Sequence, residues 1–167
     1  MAVVRITKFT RTPASAKAHI RYIQHRKGKD GQKVRRELYG IDGSMARVQA
    51  YELIDAAGKG TVFFRIAISP DPATEDRDKD LHLQELTIQT MLALEERLGR
   101  EVPYVAAEHD DHAPHRHVHV LACVRGRVDP PDLQALRQTA THAALEQRQE
   151  RDMAREQQQQ EGQQVQR

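Results

Sequence analysis

The chain has 167 residues, of which 38% are hydrophobic and 30% charged, and its formal net charge is +2. This length supports one domain with a hydrophobic core and a short extension, and it is too short for two full domains. The single cysteine, Cys123, excludes an intrachain disulfide and suits a reducing compartment. The sequence shows no signal-peptide pattern and no apolar run of the ~20 residues that a membrane span requires. We therefore expect a cytoplasmic protein without membrane contacts.

The first predicted elements are a strand and an amphipathic helix. Residues 2–9 are rich in β-branched side chains and predict a strand. Thr12 followed by Pro13 is typical of a helix start, which predicts a helix over residues 14–25. Its apolar stripe consists of Ala16, Ile20 and Ile23. A neighbouring, more polar face carries His19, Tyr22 and Arg26.

The middle of the chain alternates between strands and helices. A short strand is predicted near residues 36–39, followed by a helix that Ser44 caps and that runs through Ala57. Residues 61–69 are the most strand-like run in the sequence. A long helix with an apolar face over residues 83–98 comes next and ends before Gly99. Residues 102–108 then predict another strand.

This order of elements predicts an α+β fold. The last two strands flank a histidine-rich loop and should pair antiparallel, which gives an antiparallel sheet with helices packed on one face and the site on the other. We assign this domain to residues 1–126. Residues 127–156 form a C-terminal helical extension with few large apolar side chains, and residues 157–167 form a disordered, glutamine-rich tail.

Basic residues are concentrated at the start of the chain. Residues 1–36 contain eleven lysines and arginines and a single acidic residue, Asp30. Such a segment is typical of nucleic-acid-binding proteins, although a solvated basic face would look similar. We expect DNA contacts from the first helix and the basic loop after it, at Arg21, Arg26, Lys27, Lys29, Lys33, Arg35 and Arg36.

A histidine-rich segment, residues 109–119, holds five of the nine histidines. In the strand that starts there, residues two apart point to the same face, so His117 and His119 lie side by side. His109 can fold back as a third metal ligand, and Asp111 can orient one imidazole through its second nitrogen. His115 with His117 fits the paired pattern almost as well, which makes His115 an alternative ligand. A solvated polar loop is the competing interpretation, but the interleaved valines argue against it.

Three neutral imidazoles leave the charge of a divalent ion uncancelled. Such an ion attracts an anionic oxygen, for example that of a phosphate. The histidine-rich segment therefore predicts a metal centre that acts on an anionic substrate.

Three stretches resemble the sequence motifs of plasmid relaxases, the mobilisation nucleases of the HUH endonuclease superfamily, including the group that nicks T-DNA borders. Residues 19–28, with Tyr22 ahead of a basic turn, are similar to the first motif. Residues 66–70, with Ser69, resemble the second. His109-Asp110-Asp111 together with His117-Val118-His119 resembles the third, which is the most specific of the three. The resemblance covers residues 1–126.

The resemblance implies an HUH/RRM-like palm that nicks single-stranded DNA at a specific site and transfers the strand. Tyr22 would be the nucleophile and would form a phosphotyrosine intermediate, assisted by Mg²⁺ or Mn²⁺, with Zn²⁺ also compatible. The implied partners are transfer-origin DNA, accessory relaxosome proteins and a secretion coupling protein. Replication initiators and transposases of the superfamily place the tyrosine after the histidine motif, whereas all four tyrosines here precede it.

Two other functions are compatible with the sequence. A zinc hydrolase would use the three histidines to activate water without a covalent intermediate, which leaves the basic N-terminus unexplained. A DNA-binding remnant of a relaxase would lack catalysis altogether.

If a tyrosine is the nucleophile, its phenol, with a pKa of ~10, needs activation, for which His19, Asp110 and Asp111 are candidates.

Overall fold

The computed structural model describes residues 1–28, 31–32, 34–110 and 115–165. The elements are β1 (Val3–Thr10), α1 (Pro13–His25), β2 (Leu38–Gly40), β3 (Gly43–Met45), α2 (Arg47–Ala56), β4 (Thr61–Ser69), α3 (Leu83–Leu98), β5 (Tyr104–His109), β6 (His117–Arg125) and α4 (Pro130–Val165). The six strands form one antiparallel sheet in the order β1-β4-β6-β5-β2-β3. The predicted α+β class, the antiparallel sheet and the pairing of β5 with β6 are confirmed.

Local signals determine most of the element boundaries. The Thr12 side chain accepts a hydrogen bond from the backbone N–H of Ser15, and Pro13 is the first residue of α1. Gly99, with a φ of 68°, closes α3 in the left-handed conformation. Ser44 is not a helix cap as predicted. It pairs with Tyr39 in the β2–β3 hairpin, so its backbone belongs to a strand and α2 begins only at Arg47.

Helices cover both faces of the sheet, so the prediction that they pack on one face is wrong. Helices α1 and α2 pack on the face that carries Leu121 and Cys123. Helices α3 and α4 pack on the opposite face, against Val118 and Val120. The reason is that the central strand β6 is apolar on both faces and therefore needs cover on both. Each aliphatic side chain buried in this way contributes about 1.5–3 kcal/mol.

Helix α4 is longer than predicted. Its first half buries Leu136 and Ala140 in the same core as α3, while its exposed side chains include Met153. The sequence predicts disorder from Gln157 onward, whereas α4 continues to Val165, and only residues 166–167 of this tail lie outside the described residues. Glutamine and glutamate favour a helix, and no proline interrupts the run. Across the described ranges, none of the helices has the length and apolar character of a membrane span.

Candidate metal centre

Three histidines meet at the end of the β5–β6 hairpin. His109 is the last residue of β5 and pairs across the strands with His117. His119 follows two residues later on the same face of β6. One ring nitrogen from each histidine lies within 4.8 Å of the other two, and the Nε2 atoms of His117 and His119 are 3.1 Å apart. The sequence-predicted trio is thus brought together in space.

The backbone of α1 fixes the orientation of His109. The Nε2 atom of His109 lies 3.1 Å from the carbonyl oxygen of Ile23, in the last turn of α1, and donates its proton to that oxygen. Its Nδ1 atom is buried and has no hydrogen-bond partner among the described residues. A metal-binding histidine commonly has one ring nitrogen held by a carbonyl and the other left as a lone-pair donor. The geometry of His109 therefore fits a metal ligand.

Burial and neighbouring positive charges keep the three imidazoles neutral. The pKa of His109 is lowered to about 3, mainly by burial and with contributions from His119 and Arg36. Burial also lowers the pKa of His119 to about 4, with contributions from His117 and from arginines that include Arg26. The pKa of His117 is lowered mainly by burial as well. Neutral imidazole is the form that binds a metal, so the cluster is ready to do so at neutral pH.

The donor set restricts which ion fits. Three imidazoles form an all-nitrogen set, which is typical of transition-metal ions such as Zn²⁺, whereas Mg²⁺ prefers oxygen ligands. With three protein ligands, further coordination positions stay open for water or substrate oxygens. The residues therefore fit a divalent transition-metal ion with an open site.

Tyr22 is next in sequence to a residue that contacts this cluster, and its side chain is open to solvent. It directly precedes Ile23, the residue whose carbonyl holds His109, and 52% of its surface is exposed. The guanidinium of Arg26 lies 5.7 Å from the centre of the Tyr22 ring. The His19 ring stacks against Tyr22 at a centroid distance of 6.2 Å. Tyr22 is thus accessible to a large substrate.

The other three tyrosines are poorly placed to act as nucleophiles. Tyr39 and Tyr104 are each 3% exposed and belong to the core on the sheet face opposite the histidines. Burial raises the pKa of Tyr104 to about 12, and it also raises the pKa of Tyr39. Tyr51, on α2, is half-buried, and its hydroxyl accepts a hydrogen bond from Arg21 at 3.1 Å.

His19 is the buried neighbour of both Tyr22 and the histidine trio. It is 5% exposed, and neither ring nitrogen has a hydrogen-bond partner among the described residues. Burial lowers its pKa to about 3, with smaller effects from Arg65 and His119. Arg65, on β4, is a site neighbour that sequence reasoning missed. Its only signal was a single arginine within an apolar strand.

The predicted DNA-binding residues differ in their environments. Arg26 is half-buried beside Tyr22, and Lys27 and Arg35 are exposed. Arg36 is buried and donates from Nη1 to the carbonyl oxygens of Arg26 and Ile23, which ties down the end of α1. Arg21 is exposed and contacts Tyr51.

The remaining predicted site residues, Ser69 and His115, are not among the three converging histidines. Ser69 is two residues from Ala67, which pairs with His119, so its side chain is on the histidine face of the sheet. His115 lies before β6 and does not belong to the group of converging ring nitrogens. The backbone of His115, and not its ring, contacts the trio, because it forms a hydrogen bond with the His117 ring. Three predicted residues lie outside the described part of the chain: Lys29, Lys33 and Asp111.

An ion pair on the opposite face anchors the start of β6. Arg116 donates from Nε and Nη2 to the carboxylate of Asp76 at 2.9 and 2.8 Å, and from Nη2 to the carbonyl of Leu81. The Asp76 side chain is only 3% exposed. Because Arg116 directly precedes His117, this buried pair fixes the backbone from which the histidines project.

Comparison with known proteins leaves the site to be interpreted from its own geometry. The sequence matches no protein-family model and no curated protein, and the fold matches no solved structure.

Proposed function

We propose that the chain is a metal-dependent enzyme that nicks single-stranded DNA and transfers the cut strand, as a relaxase with an HUH-like palm. The observation that carries the proposal is the position of α1. One turn of this helix presents the exposed Tyr22, and its next residue, Ile23, holds the buried His109 of the histidine trio. The candidate nucleophile and one of the candidate metal ligands thus lie at the same end of the helix, which supports the proposal.

Tyr22 would supply the nucleophile. Its phenol oxygen attacks a backbone phosphorus and forms a phosphotyrosine bond, while the bond from phosphorus to the departing sugar oxygen breaks. The phenol proton is lost and the leaving oxygen gains one, so no water is consumed. The energy of the phosphodiester is conserved for rejoining. The Arg26 guanidinium, 5.7 Å from the centre of the Tyr22 ring, would place a positive charge close to the phosphate under attack.

His109, His117 and His119 would hold the metal ion. When bound, a divalent ion polarises the non-bridging phosphate oxygens and stabilises the charge that develops on them. The protein contributes neutral imidazoles, one of them oriented by Ile23, and a rigid hairpin that fixes their separation. The donor set favours a transition-metal ion over Mg²⁺. In this role the substrate is a transfer-origin-like single strand, with relaxosome proteins and a secretion coupling protein as partners.

A zinc hydrolase is the competing function, because three imidazoles with open coordination positions also suit a metal-activated water. It gives no role to an exposed tyrosine beside the site. The two functions differ in one product, since only the tyrosine reaction links the protein covalently to DNA.

The test is covalent capture of DNA by the parent and by Tyr22→Phe. The parent, supplied with Mn²⁺ or Zn²⁺, is mixed with a labelled single-stranded library of random sequence, and adducts are recovered by denaturing electrophoresis. Sequencing the recovered DNA identifies the cleavage site. We expect an adduct from the parent and none from Tyr22→Phe, which keeps the ring and removes only the hydroxyl.

The matched control is Tyr51→Phe, which removes a hydroxyl from the neighbouring helix and should leave adduct formation unchanged. An adduct that persists in Tyr22→Phe would place the nucleophile elsewhere. Cleavage by the parent without any adduct would support the zinc hydrolase. Binding without cleavage would support a non-catalytic remnant.

A further inference from the structure

A row of residues links the histidine trio to the edge of the sheet. His119 pairs with Ala67 of β4, and Ala67 pairs with Arg5 of the edge strand β1. Directly opposed residues share a face, so Arg5 lies on the histidine face, two strands and about 10 Å from His119. Arg5 and Val3 are both exposed, so none of the described helices covers this part of the face.

An irregularity in β1 adds a second cation to this face. The pairing runs from Ile6 opposite Ile66 directly to Lys8 opposite Arg65, which leaves Thr7 as an extra, unpaired residue. In a regular strand, residues three apart point to opposite faces, so Lys8 would lie on the face opposite Arg5. The bulge places Lys8 on the same face as Arg5, opposite Arg65. Bulges that redirect a side chain in this way are frequent beside active sites.

Two polar groups at this place lack the partners that burial normally requires. Arg65 has a buried Nε without a hydrogen-bond acceptor, and it makes no ion pair within the described ranges. His19 is on the buried face of α1, three residues after Ala16 and four before Ile23, and these two residues pack with Leu121, which lies opposite Arg65. Both ring nitrogens of His19 are without a hydrogen-bond partner among the described residues. Buried polar groups are normally hydrogen-bonded, so a ligand with acceptor oxygens would account for the Arg65 Nε–H and for the one N–H that a neutral imidazole carries.

We propose that Arg65 and His19 form a phosphate subsite beside the histidine trio, and that Arg5 and Lys8 extend it along β1 for the next phosphates of a single DNA strand. The inference rests on the proposed function, since it concerns the path of the same substrate. A guanidinium binds phosphate oxygens through two parallel N–H bonds, and a neutral imidazole donates one more. The subsite positions the strand without reading its sequence, because phosphates carry no base information.

The test measures how DNA affinity depends on salt. Binding of fluorescein-labelled oligothymidylate is followed by anisotropy over a series of salt concentrations, with the metal present. Each phosphate contacted by a cation contributes about 0.7 to the slope of log K against log [salt] on single strands. We expect Arg65→Gln and Lys8→Gln each to reduce the slope by about 0.7, and Arg65→Lys to retain it. Arg127→Gln is the control, because the Arg127 side chain is 86% exposed beyond the end of β6.

A second measurement separates a binding role of His19 from a structural one. His19→Phe keeps a ring of similar size and removes the two unpartnered nitrogens. A phosphate-binding histidine predicts weaker DNA binding at fixed salt together with a melting temperature equal to or above that of the parent. A structural histidine predicts a lower melting temperature and unchanged DNA binding. If His19→Phe does not fold, the salt slopes of the Arg65 variants decide whether the phosphate subsite exists.

The outcomes distinguish this inference from the proposed function. If the parent binds DNA but Arg65→Gln and Lys8→Gln keep its salt slope, the phosphate subsite is refuted and the nicking reaction is unaffected. A parent that binds no single-stranded DNA refutes the proposed function itself. Reduced slopes in both variants with an unchanged slope in Arg127→Gln support the subsite.

Discussion

Replacing His19 by phenylalanine should make folding less sensitive to acid. His19 is buried, and burial lowers its pKa to about 3 in the folded protein, whereas an unfolded histidine has a pKa of ~6.5. Between these values the unfolded chain binds more protons than the folded one. The free energy of unfolding therefore falls as the pH drops below ~6.5, and it levels off near pH 3.

The size of this effect follows from the two pKa values. At pH 5 the unfolded imidazole is almost fully protonated and the folded one almost fully neutral. This difference lowers the free energy of unfolding by about 2 kcal/mol relative to neutral pH. His109 and His119 act in the same direction. The raised pKa values of Glu75 and Glu108 act in the opposite direction. Parent and variant share these residues, so their contributions to the pH dependence cancel when the two proteins are compared.

The assay is urea unfolding of the metal-free parent and His19→Phe at pH 7 and pH 5. Between the two pH values the parent should lose about 2 kcal/mol more than the variant. The variant should also be more stable at pH 7 by about 1–3 kcal/mol, because two unpartnered polar atoms leave the interior. His142→Gln, which removes an exposed histidine from α4, should behave like the parent. Equal losses in parent and His19→Phe would refute the reasoning.

Two further predictions concern the metal centre and its support. His119→Ala should weaken the binding of Mn²⁺ or Zn²⁺, measured by calorimetry. Losing a hydrogen bond to a metal ligand reduces affinity by ~10–100-fold, and losing the ligand itself should reduce it by more. The fold should be retained, because the apolar face of β6 is unchanged. Unchanged affinity would refute the ligand assignment. Asp76→Ala should lower the free energy of unfolding by about 3–5 kcal/mol, since it leaves the Arg116 guanidinium uncompensated. Adding Arg116→Met should recover most of this loss, and a double variant no better than Asp76→Ala would contradict the explanation.

The elements that the sequence predicts well are those with strong local signals. The bounds of β4 agree with the predicted strand, because a run of β-branched and aromatic residues between Gly60 and Pro70 has no competing interpretation. Thr12 and Gly99 define helix ends through backbone chemistry that depends only on nearby residues. The shared face of His117 and His119 follows from the period of a strand and was predictable in the same way.

Features that depend on pairing between distant residues were not predictable. The cover on both faces of the sheet depends on which strands are central, and strand order cannot be deduced from local periodicity. The approach of Lys8 to the histidine face depends on a bulge that appears only when β1 is aligned with β4. In the sequence, Arg65 is a single charged residue within an apolar strand. Only the folded structure shows that it lies near His19 and belongs to the candidate site.

The end of α1 explains why the candidate site combines metal ligands with so many arginines. The last carbonyls of a helix carry a partial negative charge, and the Ile23 carbonyl at this end contacts His109. Arg36 donates to the carbonyls of Ile23 and Arg26, so much of that negative charge is already balanced. The neutral imidazoles therefore lie in surroundings dominated by positive charge, which disfavours a cation bound alone. A cation bound together with an anionic phosphate avoids this penalty, so metal and DNA should each bind more tightly in the presence of the other.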